Sequence, residues 1–118
     1  MTSVIHFSKD SVHYKQYGQP SSGTSKIAHL IGTDISKTMG GGLAQFDAVS
    51  IEWTVLYDEI IVTLEGVFKL RVEDTVYEVR QGDVIWIPES THLRYEGEKA
   101  VIFYALAPIN WRDNHPSA

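Results

Sequence analysis

Cysteine is absent from the 118-residue chain, which excludes a disulfide scaffold and a thiolate metal site. Its absence suits a reducing compartment, so a cytoplasmic protein is expected. Cations are also scarce: ten Lys and Arg face fifteen Asp and Glu, a formal charge of −5, and the basic residues stand singly along the chain. A surface of that sign repels phosphate backbones and anionic lipid, so neither a nucleic-acid partner nor a membrane is expected. Long apolar runs are missing too. The longest, Ala100 to Ile109, is about half the length a spanning helix needs and contains Tyr104 and Pro108. The opening Met1-Thr2-Ser3-Val4-Ile5-His6 has no basic region followed by an apolar stretch, so no signal peptide is expected.

What is present fits one folded domain. Hydrophobic residues make up 43% of the chain and can close a core, while charged residues, at 21%, are too few and too dispersed for disorder. Residues 1–25 are polar and weakly patterned, with Gly18, Pro20, Ser21, Ser22, Gly23 and Ser25 marking loop. They read as an irregular N-terminal segment. From Lys26 to Arg112 the chain reads as a β-domain, and residues 113–118 as a tail. Lys26–Ile31 is the first strand, and Gly40-Gly41-Gly42 ends a long connection after it. Leu43–Ala48, Ile51–Tyr57, Glu59–Leu64, Val67–Val72, Thr75–Val79, Val84–Ile87 and Val101–Leu106 follow, rich in Val, Ile, Tyr, Phe and Trp as strands prefer. Glu65-Gly66 and Glu73-Asp74 read as hairpin turns, Gln81-Gly82-Asp83 turns the chain, and Pro88 stops the strand before it. Short strands at this spacing predict an all-β fold, and a chain of this length favours a single rolled barrel.

Two stretches carry a resemblance. Trp53-Thr54-Val55-Leu56-Tyr57-Asp58-Glu59-Ile60-Ile61-Val62-Thr63-Leu64-Glu65-Gly66 is similar to the first cupin motif, and Gln81-Gly82-Asp83-Val84-Ile85-Trp86-Ile87-Pro88 to the second. With the closing Ala107-Pro108-Ile109-Asn110-Trp111, the set resembles the ethanolamine-utilisation EutQ family of cupins over roughly Gly40 to Arg112. That resemblance implies a single-domain cupin barrel (a double-stranded β-helix, or jelly roll) with one pocket for a small-molecule ligand. It also implies a homodimer, with residues 1–25 lying across the partner. Acetate kinase activity has been attributed to the family. Its members commonly carry an N-terminal half ahead of the cupin, where this chain has about 25 irregular residues and no recognisable nucleotide cradle.

Metal-binding cupins carry His-x-His, three or four residues, Glu, six residues and Gly, with a further His five residues past the Pro of the second motif. Counting back from Gly66 places the acid at Glu59. The histidine positions, however, hold Trp53 and Val55, or Glu52 and Thr54, and the last falls on Leu93 with His92 one place early. Three of four ligands are therefore missing, so no metal or other cofactor is expected. A divalent-metal site of Glu59, His92 and His29 is the alternative, and it needs a one-residue shift of the loop before His92. A solvated or core histidine is the more ordinary reading of each.

Strand alternation puts Trp53, Val55, Tyr57 and Glu59 on one face and Asp58 on the other. Glu59 and Tyr57 are the candidate catalytic pair, an acid raised in pKa by burial and a phenol beside it. The other reading of Glu59 is a structural acid bonded to backbone. Trp53 with Tyr57 reads as an aromatic wall for a ligand or as plain core. Trp86 shares parity with Val84, and Tyr104 with Ile102 and Leu106. Both are candidate binding residues with Asp58 and His92, and alternation leaves open which set faces inward. A non-catalytic dimeric binding or assembly module is the remaining class of reading.

Overall fold

Two long strands organise the barrel. In the computed structural model, which describes residues 3–115, β5 (Asp58–Val72) and β8 (His92–Ala107) lie side by side antiparallel over most of their length. The remaining strands attach to them. The first half of β5 carries β7 (Val84–Ile87), and its second half carries β6 (Thr75–Arg80). The first half of β8 carries β4 (Ser50–Thr54), and its second half carries β3 (Gly40–Asp47). On the outer edge of β3 lies β2 (Thr24–Ile31), with the two-residue β1 (Lys15–Gln16) beyond it. Because each long strand bends midway, one hydrogen-bonded sheet wraps into two facing layers and encloses a core of Phe46, Val55, Ile61, Phe68, Leu70, Ile87, Leu93 and Ile102. The chain is the single-domain all-β barrel expected, followed by a short helix α1 (Trp111–Asn114).

The bend corrects one reading. Glu65-Gly66 does not close a hairpin, because β5 runs straight through it with register irregularities between Thr63 and Val67. Gly66 has φ +69, and a Cβ there would collide with the Lys99 carbonyl on β8. A glycine in the left-handed region inside a strand pair makes a bulge as readily as a turn. The Glu73-Asp74 hairpin, the Gln81-Gly82-Asp83 turn and the stop at Pro88 stand where expected.

Gly40-Gly41-Gly42 is likewise strand and not connection. Gly42 pairs with Tyr104 and His29, and a Cβ on it would meet the Ala28 carbonyl and the Tyr104 hydroxyl. The glycine makes room for a phenol inside the barrel. Strand β8 also begins earlier than the Val101–Leu106 reading, its first half masked by the charges of His92, Arg94 and Glu96 on the outer face. Residues 1–25 are not wholly irregular: besides a 3-10 turn (Lys9–Ser11), they supply β1 to the chain's own sheet. Of the expected tail, Asp113 and Asn114 belong to α1, and residues 116–118 lie outside the described residues.

Two glycines separate strain from collision. Gly82 has φ +87 and open space where a methyl would stand, so Gly82→Ala is expected to cost only the left-handed backbone penalty, about 1–2 kcal/mol. Gly66→Ala adds the clash with Lys99 and is expected to lose more, measured as the difference in urea-unfolding free energy between the two variants.

Candidate functional site

Inside the barrel the alternation of β5 continues from the link before it. Val55, Tyr57, Glu59, Ile61 and Thr63 all point inward, although Val55 to Tyr57 lie outside any strand. The link keeps its pleat because Val55 bonds through its backbone to Thr91 and Ser90. Glu59 is thereby held at 4% exposure, on the wall of a cavity of about 430 Å³. Tyr95, from the first half of β8, donates its hydroxyl to Glu59 Oε1 at 2.8 Å. Oε2 has no hydrogen-bond partner among the described residues. Tyr95 is in turn fixed by stacking on Phe46, with ring centroids 5.7 Å apart and planes at 21°.

Phenols surround this carboxyl. Tyr17, Tyr57, Tyr95 and Tyr104 all line the cavity. Burial, with the neighbouring Glu59 charge second, raises the pKa of each, Tyr17 to about 12 and the others further. All four are therefore protonated donors at neutral pH. Glu59 itself is pushed up to about 7 by burial, against the smaller downward pull of the Tyr95 hydrogen bond. At the mouth, Tyr104 and His29 Nδ1 share a hydrogen bond of 3.1 Å. Burial first, then the charges of Lys15 and Arg112, lower the His29 pKa. Trp111 packs edge-on against Trp53 and tilted against Tyr57, and lines the cavity beside Tyr57.

The expected site residues divide. Glu59, Tyr57 and Tyr104 come together in the cavity, and Asp58 points outward as its parity required, accepting the Glu89 backbone N–H at 2.9 Å. Trp53 is half-buried behind Trp111 and does not line the cavity. Trp86 lies on the outer face at 57% exposure, because inward parity on β7 belongs to Ile85 and Ile87. His92 is corrected most clearly. It pairs with Thr54 across β4 and β8, and its ring bonds Thr54 Oγ1 at 2.7 Å and Glu52 Oε2 at 2.8 Å on the outer surface. Leu93, its inward neighbour, occupies the core. Glu59, His29 and His92 do not converge, and no group of three His, Asp or Glu among the described residues is placed to hold a cation. One carboxyl already bonded by a phenol does not fit the divalent ion that many cupins hold.

Several cavity residues were not singled out from the sequence. Tyr95 lies in a legible alternation, His92-Leu93-Arg94-Tyr95-Glu96, with charges at every second position. Tyr17, Lys15 and Arg112 come from segments without a pattern and carry no comparable signal.

Comparison with known proteins bears on the fold and the family. Residues 4–113 match the family described as Ethanolamine utilisation protein EutQ. The chain belongs to the EutQ family. The protein named acetate kinase EutQ from Escherichia coli K12 is 31% identical over 87 residues, covering 73% of this chain and 37% of that protein. The chain thus spans little more than a third of the length of that relative. A crystal structure of ethanolamine utilization protein Q from Salmonella typhimurium LT2 superposes with TM-score 0.81 at 25% identity, over 92% of this chain and 91% of that one. An RmlC-like cupin from Shewanella frigidimarina superposes at TM-score 0.69 and 16% identity, over 92% and 95% of the two chains, and shows the cupin fold. No helix among the described residues of this EutQ-family chain is long and apolar enough to cross a membrane.

The raised pKa of Glu59 has a consequence for stability. Between the unfolded value of 4.5 and the folded value of about 7, the folded chain holds a proton that the unfolded chain has released, so stability falls as pH rises through that window. The fall is about 3 kcal/mol and levels off above the folded pKa. Urea unfolding from pH 5 to 8 should show this slope in the natural chain and lose it in Glu59→Gln. Tyr95→Phe should move the Glu59 titration upward, read by carboxyl NMR.

Proposed function

We propose that this EutQ-family chain binds a small polar metabolite in its barrel cavity, without the usual cupin metal, and exchanges a proton with it through Glu59. The observation that supports the reading is the state of that carboxyl. One oxygen is taken by Tyr95, the other is left for an occupant of the cavity, and the pKa is near neutrality. A group with a pKa of about 7 donates and accepts protons at physiological pH, as a general acid or base must. Tyr57 acts as a hydrogen-bond donor beside it and not as a base, since its phenol holds its proton far above that range. A cavity of about 430 Å³ lies within the range of small-molecule sites and suits a compact ligand. Ethanolamine utilisation supplies the metabolic setting, and the lack of cysteine suits the cytoplasm.

A second copy of the chain is part of the same proposal. Ile60, Val84, Trp86 and Phe103 are exposed together on the outer face of β5, β7 and β8, where Ile60 pairs with Trp86 and with Ala105. Two copies, each with a formal charge of −5, meet across this uncharged patch without opposing their acids.

Calorimetric titration with ethanolamine, acetaldehyde, acetate and acetyl phosphate tests the pocket. At least one should bind, and Glu59→Gln should weaken it about tenfold or more, the scale of a lost charge-assisted hydrogen bond. Binding indifferent to Glu59→Gln would refute the assignment. Acetyl phosphate formed from acetate and ATP, and abolished by Glu59→Gln, would instead support the activity in the relatives' names. Light scattering should give a dimer that Trp86→Glu converts to monomer, and a natural chain that is monomeric at micromolar concentration would count against the second copy.

A further inference from the structure

The mouth of the cavity has the opposite charge balance to the rest of the molecule. An outer bay, lined by Thr33, Ser36, Lys37 and Asp113 among others, shares His29, Ile109, Trp111 and Arg112 with the inner cavity. Those four residues form the neck between the two spaces. Together the two linings hold three of the chain's ten Lys and Arg but only two of its fifteen acids, Glu59 at depth and Asp113 at the rim. Lys15, Lys37 and Arg112 make no ion pair among the described residues, as is also true of Lys9, Lys26 and Lys99, whereas Lys69, Arg71, Arg80 and Arg94 are paired; what sets the first three apart is that they line the two joined spaces. Asp113 is engaged by the Asn110 side-chain amide at 3.4 Å. Basic groups that outnumber the acids around them favour an anion between them.

We infer that the neck is an oxyanion subsite, where Arg112, Lys15 and His29 hold the carboxylate or phosphate of a ligand whose other end reaches Glu59. The placement gives the cavity two ends of different chemistry. Lys15 and Arg112 act on His29, yet the ionisation of Glu59 is governed by burial and Tyr95, with neither cation contributing. Lys15 and Arg112 line the same cavity as Glu59, and neither has an acid partner among the described residues. The Arg112 guanidinium lies over the Trp111 ring, 4.6 Å from the centroid, and both residues line the neck. A planar guanidinium matches the paired oxygens of a carboxylate or phosphate. Small organic oxyanions are thus the ligand class the pocket selects. This inference rests on the cavity being a ligand site, and it adds which end of the ligand enters last.

NMR titration of the full chain tests it, with acetate and inorganic phosphate as anionic probes and acetamide and ethanolamine as neutral and cationic ones. The anions should perturb the Trp111 indole and His29 ring signals saturably and raise the pKa of His29. Lys15→Gln and Arg112→Gln should each weaken this severalfold, and together about tenfold or more. Lys9→Gln, remote from both spaces, should change nothing. Stronger binding of acetate than phosphate identifies a carboxylate ligand, and the reverse a phosphate one. Two results overturn the inference: anions that fail to bind at millimolar concentration, or that bind the double variant as well as the natural chain. Acetamide or ethanolamine binding that needs Glu59 while the anions fail would leave the Glu59 reading standing and remove only the oxyanion subsite. Anion binding that needs Arg112 but ignores Glu59→Gln would do the opposite.

Discussion

The carboxyl of Glu59 inside the barrel is the constraint to which the other features of the cavity respond. An ionised carboxylate in an apolar interior costs several kcal/mol unless donors replace the lost water. Tyr95 replaces part of it at one oxygen, and the pKa rises because the replacement is incomplete. The surrounding phenols answer in the same direction. Their own ionisation is suppressed by burial and by the acid, so they remain O–H donors lining the cavity. Such a cavity favours an occupant that completes the hydrogen bonding at the free oxygen. The same arrangement lowers stability at neutral pH, a cost that folds commonly carry at functional positions.

That carboxyl stays inside because of how two strands bend. On β5 the inward set runs from Glu59 through Thr63 to Phe68 and Leu70, and the shift in parity between Thr63 and Phe68 is absorbed at the Gly66 bulge. Without the extra residue there, the second half of the strand would turn Lys69 and Arg71 inward. Instead those two reach Glu98 and Glu96 on the outer face. The bulge therefore lets one continuous strand line both the polar cavity and the apolar core. Gly42 serves the cavity more directly, since the Tyr104 phenol occupies the space its side chain would fill.

Much of this was legible in the sequence, and unevenly. Counting back from Gly66 found Glu59, and strict alternation carried Tyr57 and Asp58 to their correct faces even through a link that is not strand. Tyr95 was equally readable from the charges on either side of it. His92 misled because distance from Pro88 was counted along a loop, whereas its direction is set by pairing with Thr54 on β4. A one-residue offset in a strand reverses the face, so near agreement with a motif is no agreement at all. Glu65-Gly66 misled for a different reason: positive φ serves turns and bulges alike, and only the partner strand decides between them. Trp86 shows the limit of composition, since a tryptophan between two inward isoleucines is outward whatever its hydrophobicity.

The division between barrel and mouth suggests how chemistry and selectivity are separated in this fold. Glu59, Tyr95 and Tyr104 stand on the long central strands, each at a position paired with the neighbouring strand. Lys15 and Tyr17 come from the edge of the sheet, and Trp111 and Arg112 from a single helical turn with no buried residues of its own. Segments of that kind tolerate substitution because few packed neighbours depend on them. On the proposed reading, a change at Arg112 would alter what charge the opening accepts while leaving the buried acid and its donor in place. On that reading, selection of the ligand would vary at the mouth while the proposed proton exchange stays with the barrel, and fold likeness at low identity does not carry a substrate from one such protein to another.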